Sequence, residues 1–130
     1  MTALAYADAS AIAKLVLVEP GSQAMLRWFI ESERVISNRV AQIEVHRAAS
    51  RVHHEPARLA MVLKAIETFE LDEDVTLRAK LLEPPMLRTL DAIHVATALA
   101  IGPTLDAFVT YDDRLADAAR AAGLPVVRPA

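Results

Sequence analysis

Asp91 and His94 stand three residues apart in Thr89-Leu90-Asp91-Ala92-Ile93-His94-Val95-Ala96-Thr97, a run otherwise fit for a buried helix. At that spacing a carboxylate and an imidazole are neighbours on a helix surface. The pair invites acid–base or metal chemistry. A plainer role is the commoner one: a first-turn acid interacts favourably with the positive end of the helix dipole and the free N–H groups there. Metal ligation or general-base work requires other carboxylates to converge on Asp91. Whether Asp8, Glu44 and Asp112 can do so depends on the elements that carry them.

Pro84-Pro85 and Gly102-Pro103 bracket the Asp91 helix and place Asp91 in its first turn. At the start of the chain, Leu4 to Ala7 reads as a buried strand ending at Asp8, followed by a helix carrying Ala11, Ile12, Leu15 and Val16. Ser10 is the expected cap of that helix, and Pro20-Gly21 stops it. A second helix is expected over residues 22–33 and a short strand over 34–37. Asn38 then caps a helix bearing Glu44. Pro56 opens a helix whose core stripe is Leu59, Val62, Leu63, Ile66 and Phe69. Residues 71–75 read as a strand or extended link and 77–82 as a short helix. Ala107 to Thr110 is an apolar strand ending at Tyr111-Asp112-Asp113, residues 114–122 a helix stopped by Gly123, and 125–127 a last strand.

Short buried strands alternating with helices imply an α/β layer fold with a mainly parallel sheet. Ligands in such folds gather at the carboxyl ends of the strands. Asp8 and Asp112 both fall just past strands, and the helices carrying Asp91 and Glu44 can pack over the same edge.

With 130 residues, 54% of them hydrophobic and 24% charged, the chain is expected to form one globular domain, residues 1–130. The absence of cysteine excludes disulfides, a thiolate nucleophile and Cys-ligated metal sites. No apolar run is long enough to span a bilayer, and the apolar N-terminus, interrupted by Asp8 and Lys14, lacks a basic leader. A soluble, cytoplasmic protein with no membrane partner is expected. The formal charge of −3 argues against phosphate binding over the whole surface but permits a local basic patch. Arg47 and Arg51 share a helix face and either pair within that helix or contact phosphates.

Carboxylates brought together repel one another and raise each other's pKa unless a cation or hydrogen bonds compensate. An oxygen-only set suits Mg²⁺ or Mn²⁺, which keep water and accept phosphate oxygens in their remaining positions. The matching chemistry is phosphodiester hydrolysis, with no nucleophilic Ser or Cys required.

Four pieces of the chain, in order and spanning nearly its whole length, carry a resemblance. They are Tyr6-Ala7-Asp8-Ala9-Ser10-Ala11 with Lys14-Leu15; Ile43-Glu44-Val45-His46-Arg47-Ala48; Leu90-Asp91-Ala92-Ile93-His94-Val95-Ala96-Thr97-Ala98; and Val109-Thr110-Tyr111-Asp112-Asp113-Arg114-Leu115. Gly123-Leu124-Pro125-Val126 follows them. The chain resembles PIN-domain ribonucleases of the VapC toxin type. That resemblance implies a three-layer PIN-like fold in which Asp8, Glu44, Asp91 and Asp112 form a catalytic, metal-binding acidic site. It also implies Mg²⁺ (or Mn²⁺) as cofactor, cleavage of RNA, neutralisation by a VapB-like antitoxin and homodimerisation.

Several assignments stay open at this level. Asp112 and Asp113 compete for the fourth acid, with Thr110-x-Asp112 favouring Asp112 and leaving Asp113 as a helix cap or first-turn acid. Ser10 either caps its helix or, with Thr110, orients carboxylates or a metal-bound water. His94 is favoured as a packed, hydrogen-bonded support over a general base. His46, His53 and His54 lack a zinc-ligand spacing, and Trp28 and Tyr111 serve packing or base stacking. The rival functions are a PIN-like RNA- or protein-binding module without turnover and an acidic phosphatase. A haloacid-dehalogenase-like phosphatase would need a second Asp where Ser10 stands.

Overall fold

The sheet at the centre of the computed structural model, which describes residues 2–130, is all parallel and runs in the order β3-β2-β1-β4-β5. The elements follow one another as β1 (Leu4–Ala7), α1 (Ala9–Val16), α2 (Ser22–Glu31), β2 (Arg34–Asn38), α3 (Arg39–Ser50), α4 (Pro56–Ala65), β3 (Glu67–Phe69), α5 (Glu73–Leu81), α6 (Thr89–Ile101), β4 (Ala107–Val109), α7 (Asp113–Ala121) and β5 (Val126–Val127). The strand order reverses at β1, which lies between β2 and β4 with Tyr6 opposite Ile36 on one side and Phe108 on the other. In an open α/β sheet this reversal creates a crevice at the carboxyl ends of the two diverging strands. Asp8 and Thr110 occupy those two ends.

Both faces of the sheet are covered, so β1 (Leu-Ala-Tyr-Ala) and β4 (Ala-Phe-Val) read as continuous apolar runs. Alternation along β1 divides the core. Ala5 and Ala7 pack with Ile12, Leu15, Val45, Leu59 and Val62 from α1, α3 and α4. Tyr6, pointing the other way, packs with Val95, Phe108, Leu115 and Ala119 under α6 and α7. The Tyr6 and Phe108 rings stack with centroids 5.2 Å apart. The result is three layers, helices above and below one sheet.

Local chemistry explains most boundaries. Asp8 ends β1 and caps α1, its Oδ1 accepting the Ala11 N–H at 3.0 Å, so the cap is Asp8 and not Ser10. The helix begins one residue after the strand, which leaves Ser10 inside the first turn. Asn38 caps α3 as expected, with Oδ1 accepting from the Val40 N–H. At the end of α7, Gly123 takes a positive φ of 85°; its N–H and that of Leu124 return to Arg120 and Ala119, a Schellman closure.

A second departure from the sequence expectation follows α4, which ends at Ala65 so that Ile66 and Phe69 of its expected stripe fall outside the helix. The extended segment lies at Glu67–Phe69, upstream of 71–75, and pairs with β2 from Ile36 to Asn38. The helix that follows starts at Glu73, four residues earlier than expected, because Asp72 caps it through the Val75 N–H. No helix among the described residues is long and apolar enough to cross a membrane.

Phe108 is fully buried between β1 and the α6–α7 layer, under the ring that anchors the functional edge. Phe108→Ala is expected to destabilise the fold by about 3–5 kcal/mol. The change should appear as a lower urea midpoint at unchanged m-value, with a shift under about 1 kcal/mol contradicting the packing described.

Candidate active site

Asp8, Glu44, Asp91 and Asp112 line one cavity of about 480 Å³ at the carboxyl ends of β1 and β4, together with Ser10, Arg88 and His94. Four side chains that lie as far apart in sequence as Asp8 and Asp112 thus share one address. Asp8 is only 3% exposed. Its Oδ1 accepts from the Ala11 N–H, the Ser10 hydroxyl lies 2.8 and 3.0 Å from its two oxygens, and the Thr110 hydroxyl donates to Oδ2 at 2.8 Å. Ser10 is in turn fixed by the Tyr111 N–H, donated to its oxygen at 2.8 Å.

Thr110 also accepts the Asp112 N–H at 3.0 Å, so one hydroxyl ties the end of β4 to both acids. Asp112 caps α7 through the Leu115 N–H and turns its other oxygen to the cavity. Asp113 is in the first turn of α7, 88% exposed in its side chain, and pairs with Arg128 at 2.8 Å outside the cavity.

Asp91 is buried in the first turn of α6, which has no side-chain cap of its own. Glu44 reaches the cavity from α3, and His94 holds it there: Nε2 lies 2.7 Å from Glu44 Oε1. A carboxylate only accepts, so Nε2 carries the proton. On the far side, Nδ1 is 2.5 Å from the Tyr6 hydroxyl, whose oxygen accepts the Asn38 N–H. The Asn38 side chain donates to Thr97 on α6 at 3.0 Å. These bonds lock α3 against α6 and thereby set Glu44 beside Asp91. Among the described residues, no buried side-chain nitrogen or oxygen lacks a partner.

Electrostatics mark the same place. Burial pushes the Asp8 carboxyl above the usual carboxylate range, against the opposing pull of His94, the Ser10 hydroxyl, the Ala11 N–H and the Thr110 hydroxyl. Burial likewise raises the Tyr6 phenol, keeping it protonated toward His94. A guanidinium, Arg88, already bridges two of the acids, with Nε 3.0 Å from Asp91 Oδ2 and Nη2 3.3 Å from Asp112 Oδ2.

Among the described residues, no group of three or more His, Asp or Glu side chains is arranged to hold a metal ion as it stands. The donor chemistry nevertheless suits Mg²⁺ or Mn²⁺. Such ions take one or two carboxylates and complete their octahedron with water and phosphate oxygens, so no closed cage is needed.

The other sequence candidates lie elsewhere. Arg47 and Arg51 are exposed and absent from the cavity wall. His46 stands near Ser50 on α3, while His53 and His54 line a separate depression near Arg58. Trp28 packs against the first core, and Tyr111 lies under Lys14 with its hydroxyl donated to Pro129 O. Sequence reasoning missed Arg88, whose only local signal was its position three residues before Asp91. It also missed the contact between His94 and Glu44, fifty residues apart.

The PIN domain family model matches residues 5–121. Ribonuclease VapC46 of Mycobacterium tuberculosis is 41% identical over 126 residues, spanning 95% of this chain and 96% of its own. The chain belongs to the PIN domain family, in its VapC branch. Ribonuclease VapC35 of the same organism is 39% identical over 130 residues, again covering 95% and 96% of the two chains. Among solved structures, this PIN domain resembles Mycobacterium tuberculosis VapC20, a Sarcin-Ricin loop cleaving toxin, with a TM-score of 0.73 at 17% identity over 96% of this chain and 99% of that one. It also resembles VapBC2 from Rickettsia felis bound to a promoter DNA fragment, with a TM-score of 0.72 at 12% identity over 98% and 99%. These last two likenesses bear on the fold.

Because the folded pKa of Asp8 lies above its unfolded value, its contribution to stability is fully present below the unfolded value, about pH 4, and is lost as pH rises through the folded value. In chelator, the stability of Asp8→Asn relative to the native chain is therefore expected to climb as pH increases from about 4. Urea unfolding of both proteins across that range reads the difference. A difference independent of pH contradicts a desolvated Asp8 carboxylate.

Proposed function

We propose that this PIN domain is a Mg²⁺- or Mn²⁺-dependent endoribonuclease toxin that hydrolyses RNA phosphodiester bonds and is neutralised by a VapB-like antitoxin. The observation that carries this reading is the convergence of Asp8, Glu44, Asp91 and Asp112 on one cavity. Relatives named as VapC ribonucleases support it, and the complex-forming VapBC2 supports an antitoxin partner. The same family reading includes a homodimer acting in the cytoplasm.

The chemistry a divalent cation would supply, if held by these acids, is activation of water and neutralisation of charge on the transferring phosphoryl group. The chain's own residues set the stage for it. Asp8, Asp91 and Asp112 would hold it, directly or through water, and Glu44 would complete the acidic cluster. Ser10, Thr110 and the Ala11 N–H fix the Asp8 carboxylate in one orientation, so it need not reorganise as charge develops. The Asp112 cap holds the fourth acid to the start of α7.

A PIN-like module without turnover is not favoured, because all four acids and their supporting hydroxyls are retained. The purified protein is expected to cleave structured RNA in Mg²⁺ or Mn²⁺, to lose that activity in chelator, and to lose it by about 100-fold or more in Asp8→Asn or Asp91→Asn. Mapping new RNA 5′ ends after induced expression, with Asp8→Asn as control, identifies the target. Full activity of those folded variants contradicts the assignment.

A further inference from the structure

A cavity walled by four acids repels the phosphates that it must receive, and among the described residues that line it Arg88 is the sole lysine or arginine. Its side chain is 54% exposed at the cavity rim and leaves the backbone just before α6. It bonds two different carboxylates through two different nitrogens, Nε to Asp91 and Nη2 to Asp112. Its pair with the partly exposed Asp112 is weakened by solvent, that with the buried Asp91 less so, and a divalent cation competes strongly for the oxygens of both.

We infer that Arg88 is a phosphate ligand for the RNA backbone, parked on Asp91 and Asp112 until those carboxylates take a divalent cation. The inference rests on the assignment of Asp91 and Asp112 as metal ligands. Once displaced, the guanidinium remains at the rim, and a phosphate entering the cavity is its natural counter-ion. The planar fork of arginine matches phosphate oxygens bidentately, which an ammonium cannot do. Two other arginines near this edge are already paired: Arg128 with Asp113, also donating to Thr110 O, and Arg39 with Glu70. Arg88 thus couples the two events, binding substrate tightly only in the metal-loaded state.

The test compares the full chain with Arg88→Gln and Arg88→Lys, each checked for an unchanged circular dichroism spectrum and melting midpoint. Mn²⁺ affinity is read by electron paramagnetic resonance without RNA. Affinity for a fluorescent stem-loop RNA is read by anisotropy, before cleavage proceeds, across a salt series in Mn²⁺ and in chelator. Arg88→Gln is expected to bind Mn²⁺ at least about threefold more tightly, because a competitor is gone. In Mn²⁺ it is expected to bind RNA about tenfold more weakly, with a log–log salt slope shallower by about 0.7–0.9, the signature of one lost phosphate contact. In chelator the two proteins should bind RNA alike, and Arg88→Lys should recover the salt slope but only part of the affinity.

Unchanged Mn²⁺ affinity in Arg88→Gln overturns the inference, as does an RNA defect of equal size with and without metal. Failure of the native chain to bind Mn²⁺ overturns both the metal site and this inference. Normal Mn²⁺ binding by the native chain with no change in the variant leaves the metal site standing and removes Arg88 alone.

Discussion

A carboxylate buried at the hinge of the fold is the constraint on which the rest depends. Asp8 ends the central strand, starts the first helix and faces the crevice opened by the reversal of strand order. Its charge is unfavourable where it lies, and the surroundings oppose that penalty with donors from α1, from Ser10 and from the end of β4. A protein selected for stability alone would place a neutral cap there. Retaining an acid at that position makes sense when a cation shares the site, since such a partner offsets the desolvation that hydrogen bonds only reduce.

The two helical layers contribute to that site differently. From the α1–α3 side come Asp8 and Glu44, and from the α6–α7 side come Asp91 and Asp112. The bonds from Asn38 to Thr97 and from Tyr6 through His94 to Glu44 cross between the layers beside the sheet edge. His94 therefore acts as a strut, with one nitrogen on the core and the other on an acid of the cavity. Its fully buried, doubly bonded position accounts for an imidazole in the middle of the eight-residue buried run of α6 without any proton-transfer role.

Much of this was legible in the sequence because the relevant signals are local. Short apolar strands ending at Asp8 and before Asp112 located the functional edge, and Asn38 and Gly123 behaved as their chemistry implies. Where two cap-forming residues lie close together, as with Asp8 and Ser10, pattern alone does not say which one meets the free N–H. The strand β3 was hidden because Glu67-Thr68-Phe69 is a partly exposed edge strand whose Phe69 prolongs the helical stripe of Leu59, Val62 and Ile66. The Arg88–Asp112 and Glu44–His94 contacts were invisible for a different reason: the partners are 24 and 50 residues apart, and only packing brings them together. The resemblance supplied the four acids as a set, while the geometry supplied their supports.

The central claim, that these acids share a divalent cation, is open to direct observation. Crystals grown or soaked with Mn²⁺ and measured at its absorption edge should show an anomalous peak in the cavity within about 2.0–2.4 Å of Asp8, Asp91 or Asp112 oxygens. Arg88 should then be turned off Asp91 and Asp112. An ordered Mn²⁺ bound only outside this cavity, with the guanidinium still bridging both carboxylates, would contradict the claim.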